Sequence, residues 1–251
     1  MMSTPVLAPP AVLTQAGHAM HERRATRSDS RGYPGPVDAG LSGTGLVADD
    51  LYLLAHNDRT GKPLLPPRPL GTGLAGALLA ELMLARCIGL RSDTAIVISQ
   101  DVPRTAVRGH VLLKQIADEP GPLPVRTWLL YLTRTAARDV AARLEQAGYL
   151  TRVRSRVPGR PGRMVPVNPD WAFAPMVRVS SALNPGRNST PHAAALTGLA
   201  VACGLGFRLD QYQTRAGRSV EDAVAYLPPD LRQLITQTQI TVSAAVLSQR
   251  T

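Results

Sequence analysis

The sequence has few cysteines, few aromatic residues and no long apolar run, and each shortage excludes a class of protein. Cys87 and Cys203 are its two cysteines in 251 residues, and both lie in apolar stretches. We therefore expect reduced core residues in a cytosolic protein rather than disulfides. The longest apolar segment, from Gly71 to Ala85, is interrupted by Glu81, whereas a membrane-spanning helix needs about 18 apolar residues in a row. No basic region leads into an apolar core near Met1, so we expect no secretion signal.

Residues with catalytic chemistry are also scarce, and their spacing predicts neither an active site nor a bound metal or cofactor. No two histidines have ligand spacing inside the predicted folded region, and no serine lies in a nucleophile elbow. The glycines between Gly71 and Gly76 follow a proline-rich loop instead of a strand, which argues against a nucleotide-binding loop. The five histidines are His18, His21, His56, His110 and His192.

The chain is strongly basic, and nearly all of the basic residues are arginines. Its 28 basic residues outnumber 18 acidic ones, for a net charge of +10, and only Lys62 and Lys114 are lysines. Charge of this sign attracts phosphate-bearing surfaces. It predicts an anionic partner and leaves nucleic acid and acidic lipid as alternatives.

Composition divides the chain into a tail and a folded part. Residues 1–44 are rich in Pro, Ala, Gly, Ser and Arg without sustained periodicity, which predicts a disordered tail. Residues 45–251 are predicted to form a single, mainly helical domain, a helical bundle with small β-hairpins. The predicted helices cover 46–55, a stretch from about 70, 104–117, 126–147, 191–205, 220–226 and 229–249. A short strand is expected over 94–99, a hairpin over 149–167, and a polar connector between that hairpin and Pro191.

A run of arginines extends from the predicted helix 126–147 into the hairpin. Arg134 and Arg138 are four residues apart, so in a continuous helix they would share a face. Near an anionic leaflet each basic residue contributes about 1 kcal/mol of attraction. Between residues 150 and 167 there is no acidic residue, and the arginines are Arg152, Arg154, Arg156, Arg160 and Arg163.

Apolar residues accompany these arginines. Met164, Val165 and Val167 lie on the predicted hairpin, and Trp171 and Phe173 follow it. An exposed tip could therefore insert shallowly into a membrane while the arginines hold headgroups. For Trp171, packing against the core is the interpretation that we favour.

Two segments resemble the Golgi phosphoprotein 3 family in its bacterial form. The first contains Leu-Tyr-Leu-Leu-Ala at 51–55, Asp-Arg-Thr-Gly at 58–61 and Gly-Leu-Ala-Gly-Ala-Leu-Leu-Ala-Glu-Leu at 73–82. The second is the basic helix from Arg134, which ends in Leu-Glu-Gln-Ala-Gly-Tyr-Leu at 144–150. The resemblance covers residues 45 to 210.

The resemblance implies an all-helical bundle with small hairpins, no catalytic centre and a flat basic face that binds phosphatidylinositol 4-phosphate. In eukaryotic relatives this face docks the protein on Golgi membranes, where it also binds glycosyltransferase tails. The resemblance also implies that the hairpin mediates self-association. For Glu81 it implies a structural hydrogen-bonding role.

The lipid pocket of the family carries over only in part. The position of its tryptophan falls near Pro66 and that of one arginine on Ala75, while Arg134 matches and Ala137 does not, although Arg138 follows it. The expected lipid-binding residues are Arg134, Arg138, Arg152, Arg154, Arg156 and Arg68. The expected membrane-contact or oligomer hairpin residues are Arg160, Arg163, Met164, Val165 and Val167.

These residues predict a peripheral protein on the cytoplasmic face of a membrane that binds anionic phospholipids, with a phosphoinositide among the candidates. A homo-oligomer through the hairpin is expected, and the sequence does not identify a protein client. The alternative is a winged-helix DNA-binding regulator, with helix 126–147 in a groove and the basic ribbon 150–167 along the backbone. The upstream motif at 73–82 favours the membrane protein.

Overall fold

The computed structural model describes residues 44–92, 94–102, 107, 110–154, 162–184, 189–209 and 219–247. The predicted tail, apart from Thr44, lies outside these residues, and so does the tip of the predicted hairpin at 155–161. The division into a tail and a single domain therefore stays a prediction.

The described elements are mainly helical. In chain order, the first half contains α1 (Val47–Leu54), α2 (Pro67–Leu84), β1 (Ile88–Leu90), β2 (Ile96–Ile98), α3 (Val111–Asp118), α4 (Val125–Leu132) and α5 (Ala136–Gln146). The second half contains β3 (Leu150–Val153), β4 (Arg163–Pro166), a 3-10 helix (Pro169–Ala172), α6 (Ala174–Leu183), α7 (Pro191–Ala202), α8 (Gly206–Leu209), α9 (Val220–Ala225) and α10 (Pro229–Leu247). The predicted fold class, a helical bundle with small hairpins, is confirmed.

Helix α2 lies at the centre of the bundle and packs against α1, α4, α5, α7 and α10. Small residues allow this close packing, because a Cβ atom at Gly76 would lie 2.6 Å from Thr238 Oγ1 on α10. The glycines of the 73–82 motif are therefore packing residues inside a buried helix. The helix begins at Pro67, earlier than the predicted start near residue 70, since proline is tolerated in the first turn.

The predicted continuous helix over 126–147 is wrong, because the chain leaves the helical path at residues 133–135, between α4 and α5. The Thr133 hydroxyl donates to the Leu129 carbonyl at 2.6 Å and lies 3.0 Å from the Thr72 hydroxyl on α2. Gly71 also packs against the Thr133 carbonyl. These contacts hold the chain against α2 at the point where α4 ends, and Thr135 is the N-cap residue of α5.

The break also corrects the geometry expected for the arginines. Arg134 lies in the turn before α5, whereas Arg138 lies inside α5. The four-residue spacing therefore does not place them on one helix face.

Three other elements differ from the prediction. The strand predicted at 94–99 forms as β2, and it pairs antiparallel with β1, which was not predicted. The expected connector after the hairpin contains the 3-10 helix and α6. Of the helix predicted at 104–117, the described part is Val107 and α3, in which Leu112, Leu113 and Ile116 are buried.

The second sheet is the predicted hairpin. Strands β3 and β4 pair antiparallel, with Leu150 opposite Pro166, Arg152 opposite Met164 and Val153 opposite Arg163. Gly148 ends α5 at a φ of 81°, a left-handed conformation that glycine adopts without a steric penalty. The hairpin therefore follows α5 directly, as predicted.

Candidate functional site

The described arginines of the predicted site all lie at the surface. We use the term basic face for four exposed arginines, which are Arg134 in the α4–α5 turn, Arg138 on α5, and Arg152 and Arg154 on and just after β3. Arg163 on β4 is also exposed, but it lies opposite Val153, so its side chain points to the other side of the hairpin from Arg152. Arg156 and Arg160 lie outside the described residues. Arg68 is exposed in the first turn of α2.

An ion pair joins the hairpin to α5. Arg152 Nη2 donates to Glu145 Oε2 at 3.3 Å. Glu145 is seven residues after Arg138, which is about two helical turns, so both lie on one face of α5. Arg152 is therefore placed beside the α5 face that carries Arg138, and these two arginines belong to one surface.

Carboxylates partly neutralise two arginines of the basic face. Arg138 Nε lies 3.1 Å from Asp139 Oδ1, and Arg152 is paired with Glu145. Such exposed pairs are weak, since water screens them. An anionic ligand can therefore compete for both guanidinium groups.

The loop between α1 and α2 adds two cations that the sequence analysis did not identify. Gly61 has a φ of 62°, and a Cβ atom there would lie 1.8 Å from the Met164 carbonyl oxygen on β4. The loop is therefore seated directly on the hairpin, and the exposed Arg59 and Lys62 flank this contact. The Asp-Arg-Thr-Gly motif at 58–61 was the available signal, because its glycine permits both the turn and the close approach.

The apolar hairpin residues differ in exposure. Met164 and Val165 are half-buried, whereas Val167 is 54% exposed and Val153 is 50% exposed. Trp171 is half-buried and packs against Tyr149, with ring centroids 4.8 Å apart. Trp171 thus packs against Tyr149 beside the hairpin, whereas the prediction placed it against the core.

Positions that would complete the pocket of the family carry no cation. Pro66 precedes α2 as its N-cap residue, and Ala75 is fully buried within α2. Ala137 is half-buried on α5. Of the expected pocket positions, Arg134 carries an arginine, and Arg138 is nearby in sequence.

Two arginines that sequence reasoning missed, Arg143 and Arg178, lie away from the basic face, and each forms ion pairs with buried carboxylates. Arg143 Nη1 donates to Glu81 Oε2 at 3.0 Å, and its Nη2 donates to Glu81 Oε1 at 3.1 Å. The Nε of the same guanidinium donates to Asp49 Oδ1 at 2.8 Å. One arginine therefore ties α1, α2 and α5 together.

Glu81 also caps α1. Leu46, the N-cap residue, has no side-chain cap, and the Ala48 backbone N–H instead donates to Glu81 Oε1 at 2.8 Å. The first N–H groups of a helix have no partner within the helix, so this contact satisfies one of them. The predicted structural hydrogen-bonding role of Glu81 is confirmed.

Asp50, the residue after Asp49, belongs to a second buried cluster. Arg178 Nη1 donates to both of its carboxylate oxygens, at 2.7 and 2.8 Å, and His192 Nε2 lies 2.8 Å from Oδ2. These contacts join α1 to α6 and α7. The sequence signal was a pair of acidic residues inside the otherwise apolar α1.

Burial changes the acidity of Asp49. Desolvation raises the pKa of its carboxyl from 3.8 to about 6, and the nearby Arg143 opposes this rise. Within the described residues the Asp49 Oδ2 atom is buried without a hydrogen-bond partner. The raised pKa and the unpartnered oxygen both reflect the burial of this carboxyl.

Within the described residues, no group of three or more His, Cys, Asp or Glu side chains is placed to hold a metal ion. Cys203 is buried, Cys87 is half-buried, and both are free thiols. No described helix is long and apolar enough to cross a membrane.

Comparison with known proteins agrees with this architecture. The family model of Golgi phosphoprotein 3 (GPP34) matches residues 47–238, from the first residue of α1 into α10. A search of curated proteins gave no match. The chain belongs to the Golgi phosphoprotein 3 (GPP34) family.

Proposed function

We propose that this chain is a peripheral membrane protein without catalytic activity that binds anionic phospholipid headgroups on the cytoplasmic face of a membrane. The basic face and the loop cations Arg59 and Lys62 make the contact. The observation that carries this proposal is the shared surface on which α5 presents Arg138 and the hairpin presents Arg152, linked through the ion pair of Arg152 with Glu145. Membership of a family known for phosphoinositide binding supports it.

The expected affinity comes mainly from charge. The basic face and the loop together present six described cations, and each contributes about 1 kcal/mol near an anionic leaflet. Arg138 and Arg152 contribute less, because a carboxylate lies beside each. Arginine suits this role because its planar fork can bind one phosphate through two hydrogen bonds.

Binding should follow total membrane charge more than headgroup identity. Pro66 and a fully buried Ala75 stand at two positions of the expected pocket, so neither position offers a side chain that can bind a phosphoinositide headgroup. We therefore propose general recognition of anionic lipids, with any preference for phosphatidylinositol 4-phosphate reduced. The exposed Val153 and Val167 would add shallow apolar contact.

We also propose that the hairpin binds a second copy of the chain, as the family resemblance implies. A homo-oligomer would place several basic faces on one membrane and so increase avidity. In this proposal the chain acts as an adaptor that links a protein client to the membrane.

The proposal is tested by vesicle co-sedimentation at two salt concentrations. Neutral vesicles, phosphatidylserine vesicles and phosphatidylinositol 4-phosphate vesicles of equal total charge are compared, with duplex DNA as competitor. We expect binding to both anionic vesicles, weaker binding at high salt and none to neutral vesicles. Tight duplex binding without vesicle binding would favour the winged-helix alternative.

A charge-matched pair of variants identifies the surface. Replacing Arg152 and Arg154 with alanine should weaken vesicle binding by up to about thirtyfold, since two charges near the leaflet contribute at most about 2 kcal/mol when one of them, Arg152, is partly neutralised by Glu145. Replacing Arg86 and Arg232, which are exposed elsewhere, removes the same charge and serves as control. Equal losses in both variants would mean that only net charge matters, and the assignment of the surface would be wrong.

A further inference from the structure

Helix α4 has an exposed face whose composition the bundle does not explain. The helix packs against α2 and α10 and buries Val125, Trp128, Leu129 and Leu132. Its other face exposes Arg126 and Leu130 at a spacing of four residues. Arg134 is exposed in the turn that follows the helix. The exposed side of α4 and the turn after it therefore carry both basic and apolar side chains.

Two large apolar side chains lie together on this face. Leu130 and Tyr131 are both 54% exposed. The ring of Tyr131 meets that of the buried Trp128 edge-on, with centroids 6.0 Å apart and an interplanar angle of 89°. Single exposed apolar residues are common on protein surfaces, but an adjacent pair between arginines indicates a contact site.

We propose that this α4 face, formed by Arg126, Leu130, Tyr131 and Arg134, is a second membrane contact. Leu130 and Tyr131 enter the boundary between headgroups and acyl chains, while the two arginines hold anionic headgroups. This inference rests on the proposed function and extends its surface, because Arg134 belongs to both the α4 face and the basic face.

Charge favours a lipid surface over a protein partner. Helix α4 contains no acidic residue, and the neighbouring Arg134 is cationic, so the surface is complementary to a continuous anionic layer. Tyrosine has an apolar ring and a polar hydroxyl, which suits the interface between water and acyl chains. The edge-on contact with Trp128 restricts the Tyr131 ring before binding, which should reduce the side-chain entropy that the ring loses at the membrane.

The direct test places a fluorescent probe at the proposed depth. Tyr131→Trp is compared with Tyr226→Trp, because Tyr226 is 75% exposed and follows α9, which packs against α6 and α7. Both variants keep the native Trp128 and Trp171. With anionic vesicles carrying brominated acyl chains, we expect a blue shift and quenching for Tyr131→Trp beyond those of Tyr226→Trp.

A second variant measures the contribution to affinity. Leu130→Ser with Tyr131→Ser should weaken vesicle binding by about tenfold or more, because two apolar side chains no longer leave water. Tyr226→Ser is the matched control, and circular dichroism checks that each variant is folded. If the wild-type chain binds vesicles while Tyr131→Trp is quenched no more than Tyr226→Trp, the α4 proposal is wrong and the proposed function stands.

Two other outcomes would also overturn the α4 proposal. A blue shift of Tyr131→Trp that appears without vesicles and grows with protein concentration would show that a second copy covers the face. Failure of the wild-type chain to bind any anionic vesicle would remove the proposed function and this extension together.

Discussion

The molecule uses arginine in two opposite ways, and the contrast between its core and its hairpin surface shows why charge alone is a poor guide. Arg143 and Arg178 have side chains that are 16% and 6% exposed, and each binds carboxylates from α1. Arg138 and Arg152 are 76% and 64% exposed, with one weak partner each. Only the second pair can meet a ligand.

The difference follows from desolvation. A buried charge needs a partner of opposite sign, because removing it from water without one is costly. An exposed charge keeps its hydration and gains little from a neighbour. The positive charge available to a membrane is therefore smaller than the total of 28 basic residues suggests.

The largest expected effect comes from removing a buried arginine. Arg143→Met leaves Asp49 and Glu81 without their shared cation, which should lower the free energy of unfolding by about 3–5 kcal/mol. Urea denaturation measures this loss. Arg154→Met at the exposed surface is the control, and it should change stability by less than about 0.5 kcal/mol. Similar results for the two variants would remove the distinction between the two classes of arginine.

The next effect is a pH dependence of stability that belongs to Asp49. Because burial raises its folded-state pKa from 3.8 to about 6, the folded chain binds this proton more tightly than the unfolded chain. The resulting stabilisation is complete below about pH 4 and is lost as the pH rises through about 6. It amounts to about 2–3 kcal/mol.

Asp49→Asn should abolish that part of the pH profile. Unfolding by urea between about pH 4 and pH 7 would give a flatter curve for the variant than for the wild type. The difference between the two curves isolates Asp49 from the other titrating groups. Parallel curves would show that Asp49 is ionised throughout this range.

A smaller effect concerns the seating of the loop that presents Arg59 and Lys62. Gly61→Ala adds a Cβ atom 1.8 Å from the Met164 carbonyl oxygen, at a φ of 62°. We expect a loss of about 1–3 kcal/mol in thermal or urea unfolding. Gly148→Ala also has a positive φ but meets open space, so it should cost only about 1 kcal/mol. Equal losses would mean that the loop does not depend on the hairpin.

The smallest effect is the coupling between Arg138 and Asp139. A double-mutant cycle with alanine should give a coupling energy of about 0.5 kcal/mol or less, and high salt should abolish this coupling. The same cycle on Arg178 and Asp50 serves as the buried reference. A surface coupling above about 1 kcal/mol would show that Arg138 is held in place and is less available to a ligand.

Local patterns were sufficient to predict much of the fold. Apolar periodicity identified α1 and α7, and the turn residues between Tyr149 and Val167 identified the hairpin. The break at Thr133 could not be predicted, because it depends on contacts with Thr72 and Gly71, far away in the chain. The same limit applies to β1, which is defined by its pairing with β2.

The candidate site likewise has a part that local sequence predicts and a part that depends on distant contacts. Its hairpin arginines lie close together in sequence and could be predicted as a group, although their role in binding stays a prediction. Arg143 and Arg178 were missed because their partners, Asp49 and Asp50, lie on a distant helix. Arg59 and Lys62 were missed because only the folded chain brings their loop onto β4.

The adjacent Asp49 and Asp50 make α1 sensitive to changes in length. Consecutive residues point about 100° apart around a helix, so each carboxylate reaches a different set of neighbours. A single inserted or deleted residue before Asp49 would turn both carboxylates away from Arg143 and Arg178 at once. Replacing Asp49 or Asp50 removes the contacts of one carboxylate. A change of one residue in the length of α1 before Asp49 would instead break the contacts with Arg143 on α5 and with Arg178 on α6 together.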